Sequence, residues 1–299
     1  MTGVRIDLHV HSSASDGTDS PATVIARAAQ AGLDVLALSD HDTQAGLAEA
    51  RAALPDGLTL VPAMELSGTI SGAYAGEDPA PGQRPGQRSV HLLAFLFDPR
   101  DPALGQETER IRDDRVYRAK GMVGKLQELG ADVTWEQVAR IAGEAVVGRP
   151  HIARALAESG VLADPRDAFT SDWIADGGRA FVDRYAVPVD RAIALVRAAG
   201  GVPVLAHPRS PGYEVADEAI AELAAAGLAG LEVYHPDHDG AQRERLLSLA
   251  ASLDLVTTGG SDDHGAFSNS GLGSQATPPQ SYERILAVAT GDTPVPRVS

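Results

Sequence analysis

Histidine and carboxylate side chains recur in this sequence at spacings that suit divalent metal ions. The sharpest pattern is Asp7-Leu8-His9-Val10-His11. If this segment is a β-strand, positions i and i+2 share a face, so Asp7, His9 and His11 point the same way. Two imidazoles on one face could bind a single divalent ion. Taken alone, the pair could instead be two buried histidines.

Further candidate ligands lie in or just after other short apolar runs. They are Asp16, His41, Glu65, His91, His207, His235, Asp262 and His264. Taken alone, Glu65 is more simply interpreted as a surface glutamate, and His91 as a histidine satisfied within the core. These simpler interpretations weaken because so many candidates fall where an apolar run ends.

The 299-residue chain contains no cysteine, so a metal site must use His, Asp and Glu. Nitrogen and oxygen ligands suit Zn, Mn or Fe in a catalytic site. A carboxylate such as Glu65 could bridge two ions roughly 3.5–4 Å apart, as in two-metal hydrolases. Such ions lower the pKa of a shared water and neutralise charge that develops on phosphate oxygens.

Seven apolar runs predict the strands that must position these side chains. They cover residues 4–10, 35–38, 58–62, 90–95, 202–206, 230–234 and 255–258. Helical patterns lie between most of them, at 22–31, 43–54, 189–199, 217–226, 241–253 and 282–289. This alternation predicts a parallel sheet or barrel, in which strand C-termini gather on one face and form the active site.

Two segments interrupt the alternation. Residues 68–89 are rich in Gly and Pro and predict a long mobile loop beside the site. Residues 106–185 contain helical patterns at 107–129, 135–141 and 149–159 but no convincing strand. We therefore predict a barrel domain from 1–105 and 186–299, with 106–185 as an inserted helical subdomain that covers the substrate.

The composition excludes some partners. The net charge is −16, which argues against general affinity for duplex nucleic acid, because such binding needs a basic face. A small anionic substrate is compatible, since bound metal can reverse the local field. The N-terminal residues lack an apolar signal region, and no run of about 18 apolar residues occurs. We expect no membrane span and a cytoplasmic protein; the oligomeric state is open, and a monomer is compatible with the sequence.

The combined pattern resembles the PHP (polymerase and histidinol phosphatase) family of phosphoesterases. The matching motifs are Asp7-x-His9-x-His11, Ser15-Asp16-Gly17, Ser39-Asp40-His41-Asp42, Glu65, His91, Ala206-His207-Pro208 and Ser261-Asp262-Asp263-His264. They span nearly the whole chain. The resemblance implies an α/β fold, a distorted (β/α)7 TIM-like barrel with the metal centre at the strand C-termini.

The resemblance also implies a ligand set for two or three divalent ions, Mn, Zn or Fe. His9, His11, Glu65 and Asp262 would hold the first ion. Glu65, His91 and His207 would hold the second, and Asp16, His41 and His264 the third. The catalytic residues would be four of these ligands, His9, His11, Glu65 and Asp262, together with His235.

The segment Gly148-Arg149-Pro150-His151-Ile152-Ala153-Arg154 resembles one found in small bacterial PHP enzymes that act on nucleotides. These include 3′,5′-nucleoside bisphosphate phosphatases. The resemblance implies that Arg149, His151 and His235 contact the substrate phosphate, with Arg209 as a further candidate. Without the resemblance, Arg149 is more simply interpreted as a residue that caps a helix or pairs with a surface carboxylate. Arg209 is then more simply interpreted as a solvated residue. His238 is expected at the surface.

The resulting hypothesis is a phosphatase that converts a 3′,5′-nucleoside bisphosphate to a nucleoside 5′-monophosphate, using a metal-activated hydroxide. The alternatives are a phosphodiesterase acting on cyclic phosphates, 5′–3′ trimming of short RNA, a histidinol phosphatase, and a non-enzymatic, metal-stabilised scaffold. A binuclear amidohydrolase-type barrel would need a lysine at a strand end for its carbamate bridge. The chain has only Lys120 and Lys125, both in the predicted insert helix.

Overall fold

The computed structural model describes residues 3–71, 87–211, 214–268 and 270–296. All seven predicted strands are present in it, and two short strands are added. The strands are β1 (Ile6–Val10), β2 (Val35–Leu38), β3 (Thr59–Ser71), β4 (Gln87–Phe95), β5 (Val187–Pro188), β6 (Val202–Leu205), β7 (Gly230–Tyr234), β8 (Val256–Gly259) and β9 (Val295–Pro296).

The seven long strands form a nearly closed barrel. Their order is β1-β2-β3-β4-β6-β7-β8, while β5 and β9 pair with β3 at its sides. A parallel bridge between Val10 and Asp263 brings the first strand against the segment that follows β8. Apolar side chains such as Leu8, Val61 and Phe95 are buried together within the barrel. The expected α/β fold, a distorted (β/α)7 TIM-like barrel, is confirmed.

One strand departs from the expected parallel arrangement. β4 is antiparallel to both of its neighbours, β3 and β6. Antiparallel strands can be joined without a crossover helix, and no helical pattern separates β3 from β4. The prediction of a parallel sheet is therefore wrong for β4.

The prediction of a loop over residues 68–89 is wrong at both ends of that segment. β3 continues to Ser71 and β4 begins at Gln87, with Gly68 opposite Val90. The two ends of this segment are therefore strand rather than loop. Residues 72–86 lie outside the described residues.

The helices are α1 (Pro21–Gln30), α2 (Leu47–Ala52), α3 (Pro102–Glu128), α4 (Trp135–Ala142), α5 (Arg149–Glu158), α6 (Val189–Ala198), α7 (Asp217–Ala225), α8 (Gly240–Ser252) and α9 (Pro279–Val288). Ser20 caps α1, and Thr134 caps α4 in a reciprocal capping box with Gln137. These polar caps satisfy amide groups that the first helical turn leaves open. Among the described residues, no helix is long and apolar enough to cross a membrane.

Helices α3, α4 and α5 share a hydrophobic cluster that differs from those of the barrel. Met122, Leu126, Val138, Ile152 and Leu156 are among its buried members. The cluster lies within the predicted insertion. The boundaries at 105/106 and 185/186, and the insertion's role in covering the substrate, stay predictions.

Candidate metal centre and adjoining arginine cavity

The ends of the barrel strands bring distant histidines and carboxylates together. Three groups of side chains have ligand atoms close enough to share an ion: His9, His11, Glu65 and Asp262; His41, Glu65 and His91; and His11, Asp16, His41 and His264. Their sequence separations reach more than 200 residues. The barrel closure therefore creates this cluster.

The first group is the most compact. His9 Nε2 and His11 Nε2 lie 3.1 Å apart, and each is 3.1–3.3 Å from Glu65 Oε2 and from Asp262 Oδ1. Two ligands held about 2.0–2.1 Å from one ion at tetrahedral angles are separated by about 3.3 Å. The donor atoms of this group therefore fit a divalent ion.

Glu65 is shared between two groups through its two oxygens. Oε2 faces the first group and also lies 3.1 Å from His41 Nδ1. Oε1 lies 2.8 Å from His91 Nδ1 and 3.0 Å from His207 Nε2, and these two nitrogens are 3.3 Å apart. A carboxylate with donor nitrogens around each oxygen has the geometry of a bridging ligand.

The third group surrounds Asp16. Its Oδ1 lies 3.3 Å from His264 Nε2, and its Oδ2 lies 3.8 Å from His41 Nε2. His264 Nδ1 is 2.9 Å from the carbonyl oxygen of Asp262, so Nδ1 donates and Nε2 faces the carboxylate. This group is wider than the first one.

The electrostatics of the cluster favour added positive charge. Burial alone would raise the pKa of Glu65, but His41, His91 and His9 hold it well below its usual range. Burial would likewise lower the pKa of His264, yet Asp16 and Asp262 raise it to about 10. Carboxylates that are ionised when buried this deeply need positive charge beside them, and bound divalent ions supply it.

Burial shifts two of the histidines toward the neutral form that binds metal. Burial lowers the pKa of His41 to about 3, with His11 and His91 contributing, although Glu65 and Asp16 act in the opposite direction. Burial also lowers the pKa of His91. A neutral imidazole keeps a lone pair available for an ion.

Sequence reasoning missed Glu232, which orients the centre from β7. This fully buried carboxylate lies 3.0 Å from His9 Nδ1 and accepts a hydrogen bond from the backbone N–H of His207 at 2.8 Å. Because His9 Nδ1 donates to Glu232, His9 Nε2 presents its lone pair to the first group. The available signal was a charged residue in the middle of an apolar strand.

A second missed network links the insertion to the centre through Asp42. This buried carboxylate accepts hydrogen bonds from the Ser67 hydroxyl at 2.8 Å and from Arg115 Nε at 2.8 Å. Arg112 donates to the Asp42 carbonyl at 2.8 Å. Two arginines of α3 therefore hold the residue that follows His41. In the sequence they are indistinguishable from a solvated helix face.

An arginine-lined cavity of about 180 Å³ adjoins the histidine cluster. It shares Asp16, His41 and His91 with the cluster. The described residues contribute five arginines to its wall: Arg88, Arg115, Arg118, Arg149 and Arg184. Phe169 and Phe181 also line it. Among these arginines and phenylalanines, sequence reasoning singled out only Arg149.

The four residues predicted to contact the substrate phosphate lie in different surroundings. Arg149 lines the cavity and pairs with Asp176 at 2.8 Å. His151 is buried at the start of α5, where its Nδ1 accepts a hydrogen bond from the Gly148 N–H at 3.0 Å. His235 borders the metal centre, with Nε2 3.4 Å from Asp262 Oδ2.

Arg209 and His238 form a separate buried contact. The guanidinium of Arg209 is held by Asp217 and the Val215 carbonyl. The Arg209 amide donates to His238 Nε2 at 3.2 Å, and His238 Nδ1 donates to the Val233 carbonyl at 3.0 Å. The expectation that His238 lies at the surface is wrong, because both of its ring nitrogens bond to backbone groups of neighbouring segments.

The chain is similar in sequence to a known protein family and to several of its members. Residues 7–74 match the model of the PHP domain. The chain is 32% identical over 264 residues to the 3′,5′-nucleoside bisphosphate phosphatase of Chromobacterium violaceum, covering 87% of each chain. It is also 32% identical to a 5′-3′ exoribonuclease of Haemophilus influenzae, covering 87% of this chain and 90% of the relative.

Two further proteins show how widely the similarity extends. A phosphoribosyl 1,2-cyclic phosphate 1,2-diphosphodiesterase of Eggerthella lenta is 32% identical, with 87% of this chain and 94% of the relative covered. A solved structure from Bifidobacterium adolescentis, of an inferred metal-dependent phosphoesterase, superposes with a TM-score of 0.83 and 34% identity. That match covers 97% of this chain and 98% of the other.

Proposed function

This chain belongs to the PHP family of metal-dependent phosphoesterases, and we propose that it removes the 3′-phosphate from a nucleoside 3′,5′-bisphosphate. The products are a nucleoside 5′-monophosphate and inorganic phosphate. Hydrolysis of phosphoesters is common to the named relatives, whereas their substrates differ. The finer assignment therefore rests on this chain's own site.

The observation that carries the proposal is the position of Glu65 between two sets of histidine nitrogens. Its Oε2 faces His9 and His11, and its Oε1 faces His91 and His207. We assign His9, His11, Glu65 and Asp262 to one ion, Glu65, His91 and His207 to a second, and Asp16, His41 and His264 to a third. Bound divalent ions would activate water and offset the negative charge of the phosphate oxygens.

His235 is the residue we assign to proton transfer or phosphate contact. The Asp237 amide donates to His235 Nδ1 at 3.2 Å, so the neutral ring carries its proton on Nε2. Nε2 lies 3.4 Å from Asp262 Oδ2 at the wall of the metal centre. From this position the Nε2–H can donate to a phosphate oxygen or to the leaving oxygen.

The arginine cavity favours a substrate with a second anionic group. The described residues of its wall include five arginines and three aspartates, so the wall is locally basic. The protein as a whole has a net charge of −16. Histidinol phosphate carries a cationic amine, which this wall would repel. The exposed ring of Phe169 and the ring of Phe181 offer apolar surface for a nucleobase.

A substrate panel tests the proposal. We would measure kcat/KM with added Mn for adenosine 3′,5′-bisphosphate, AMP, a 20-nucleotide 5′-phosphorylated RNA, histidinol phosphate and a cyclic phosphate, at matched salt. The bisphosphate should be the best substrate, with AMP as the organic product. Equal or greater efficiency on RNA would instead indicate a nuclease. Activity confined to cyclic phosphates or histidinol phosphate would reject the nucleotide assignment.

A further inference from the structure

A second cleft opens from the metal centre, formed by the segments that follow β7 and β8. Its volume is about 200 Å³. It shares His235, Asp237, Asp262 and His264 with the space directly over the centre. It shares no lining residue with the arginine cavity. The centre therefore adjoins two spaces that are built from different residues.

The cleft differs from the arginine cavity in its charge. Its described lining contains no arginine or lysine, and its two carboxylates are Asp237 and Asp262. Asp262 is assigned to the first ion. Asp237 is therefore the carboxylate that remains to act on a group that enters the cleft.

The surroundings of Asp237 leave its negative charge largely uncompensated. The side chain is 52% exposed, and its Oδ2 lies 3.9 Å from His235 Nδ1. That nitrogen accepts a hydrogen bond from the Asp237 amide at 3.2 Å, so the neutral ring presents no proton to the carboxylate. Within the part of the chain that the structure describes, no arginine or lysine lies within ion-pair distance of Asp237.

The cleft matters for substrates that extend beyond the scissile phosphate. The proposed reaction breaks the bond between phosphorus and the nucleoside 3′-oxygen, and water supplies the new oxygen. In a bisphosphate, the other oxygens of this phosphate carry no further group. In an RNA, one of them carries the next nucleotide. With the 5′-phosphate in the arginine cavity, the cleft beside Asp237 is the space that remains for that nucleotide.

We propose that Asp237 selects against polynucleotides by repelling the phosphate that follows the scissile one. This inference rests on the proposed function and makes Asp237 a specificity-determining residue rather than a catalytic one. Like charges at close range repel more strongly at a protein surface than in bulk water, because the effective dielectric constant is lower there. A nucleoside bisphosphate has no phosphate at that position and escapes the repulsion.

The test compares three substrates that all release AMP. We would measure kcat/KM from initial rates for adenosine 3′,5′-bisphosphate and for the 5′-phosphorylated di- and triadenylates. Only the triadenylate has a phosphate beyond the scissile one. Asp237→Asn should raise the ratio of triadenylate to bisphosphate kcat/KM about 3- to 10-fold, and Asp237→Lys should raise it further. The ratio for the diadenylate should change less.

Asp132→Lys is the matched control, because it makes the same change in charge at an exposed aspartate between α3 and α4. It should leave both ratios as in the wild type. Salt then separates repulsion from a steric effect. Raising NaCl from about 0.1 M to about 1 M shortens the screening length from about 10 Å to about 3 Å. The difference between Asp237→Lys and the wild type should therefore shrink.

The outcomes distinguish this inference from the proposed function. A wild-type protein that prefers the bisphosphate, with ratios that neither Asp237 variant changes, would overturn the inference alone. A change that salt does not reduce, or that Asp132→Lys reproduces, would also overturn it. A wild-type protein that cleaves none of the three substrates, or that prefers the triadenylate, would overturn the proposed function itself.

Discussion

Glu232 Oε1 lies 3.0 Å from His9 Nδ1, while Glu232 Oε2 accepts a hydrogen bond from the His207 amide at 2.8 Å. One buried carboxylate on β7 thus orients a residue assigned to the first ion and a residue assigned to the second. The backbone of His207 has φ = 26°, an unfavourable conformation for a residue with a side chain. The hydrogen bond that the His207 amide donates to Glu232 helps to hold it there.

Replacing this carboxylate should weaken metal binding without unfolding the barrel. In Glu232→Gln, the amide oxygen can accept from only one of the two donors, and the NH₂ group opposes the other. We expect affinity for Mn or Zn to fall about 10- to 100-fold, the usual effect of losing such a partner. Competition with a metal-binding dye measures this change.

Glu244→Gln, an exposed glutamate on α8, is the control and should bind metal as the wild type does. A purely structural role for Glu232 would lower the melting temperature of the metal-free protein and leave the intrinsic metal affinity unchanged. That result would remove Glu232 from the centre.

Metal analysis of the purified protein should find at least about two divalent ions per chain, the number a bridged hydrolase centre needs. His9→Ala should lose an ion and nearly all of kcat, since His9 Nε2 lies within 3.3 Å of Glu65 Oε2 and Asp262 Oδ1. Asp262→Asn should behave similarly. A stable, active protein that holds no metal and does not respond to EDTA would contradict the metal centre altogether.

Arg149→Ala should retain the metals but lose phosphate contacts. We expect kcat/KM to fall about 100- to 1000-fold, which corresponds to about 2.7–4 kcal/mol of lost transition-state stabilisation. Asp176→Asn is a useful companion, because it removes the ion-pair partner at 2.8 Å and keeps the guanidinium. If Arg149→Ala is as active as wild type, Arg149 does not contact the substrate.

Phe169→Ala tests whether the substrate carries a nucleobase. Phe169 is 43% exposed and lines the cavity, and the Arg149 guanidinium carbon lies 6.0 Å from the centre of its ring. Base stacking on an aromatic ring is worth about 1–3 kcal/mol, so KM for the nucleotide should rise about 5- to 150-fold. Phe169→Trp should restore binding. An unchanged KM in Phe169→Ala would place the base elsewhere.

The local features of the chain were predictable because they depend on short-range geometry. The spacing of His9 and His11 put both rings on one face of β1, and their Nε2 atoms are 3.1 Å apart in the structure. Thr134 caps α4, and threonine is one of the residue types favoured at that position. α2 is shorter than its pattern suggested, at Leu47–Ala52 against a predicted 43–54, because tertiary contacts rather than propensity set helix ends.

The sequence by itself determined the ligand types, the strand ends that carry them and the absence of any thiolate. Only the tertiary structure decided that β4 is antiparallel, that Glu232 holds His9 and His207, and that Arg118 and Arg184 meet Arg149 beside the centre. These relationships join residues that are at least 16 positions apart in the sequence. They depend on barrel closure and on how the insertion packs, and neither leaves a periodic signal in the sequence.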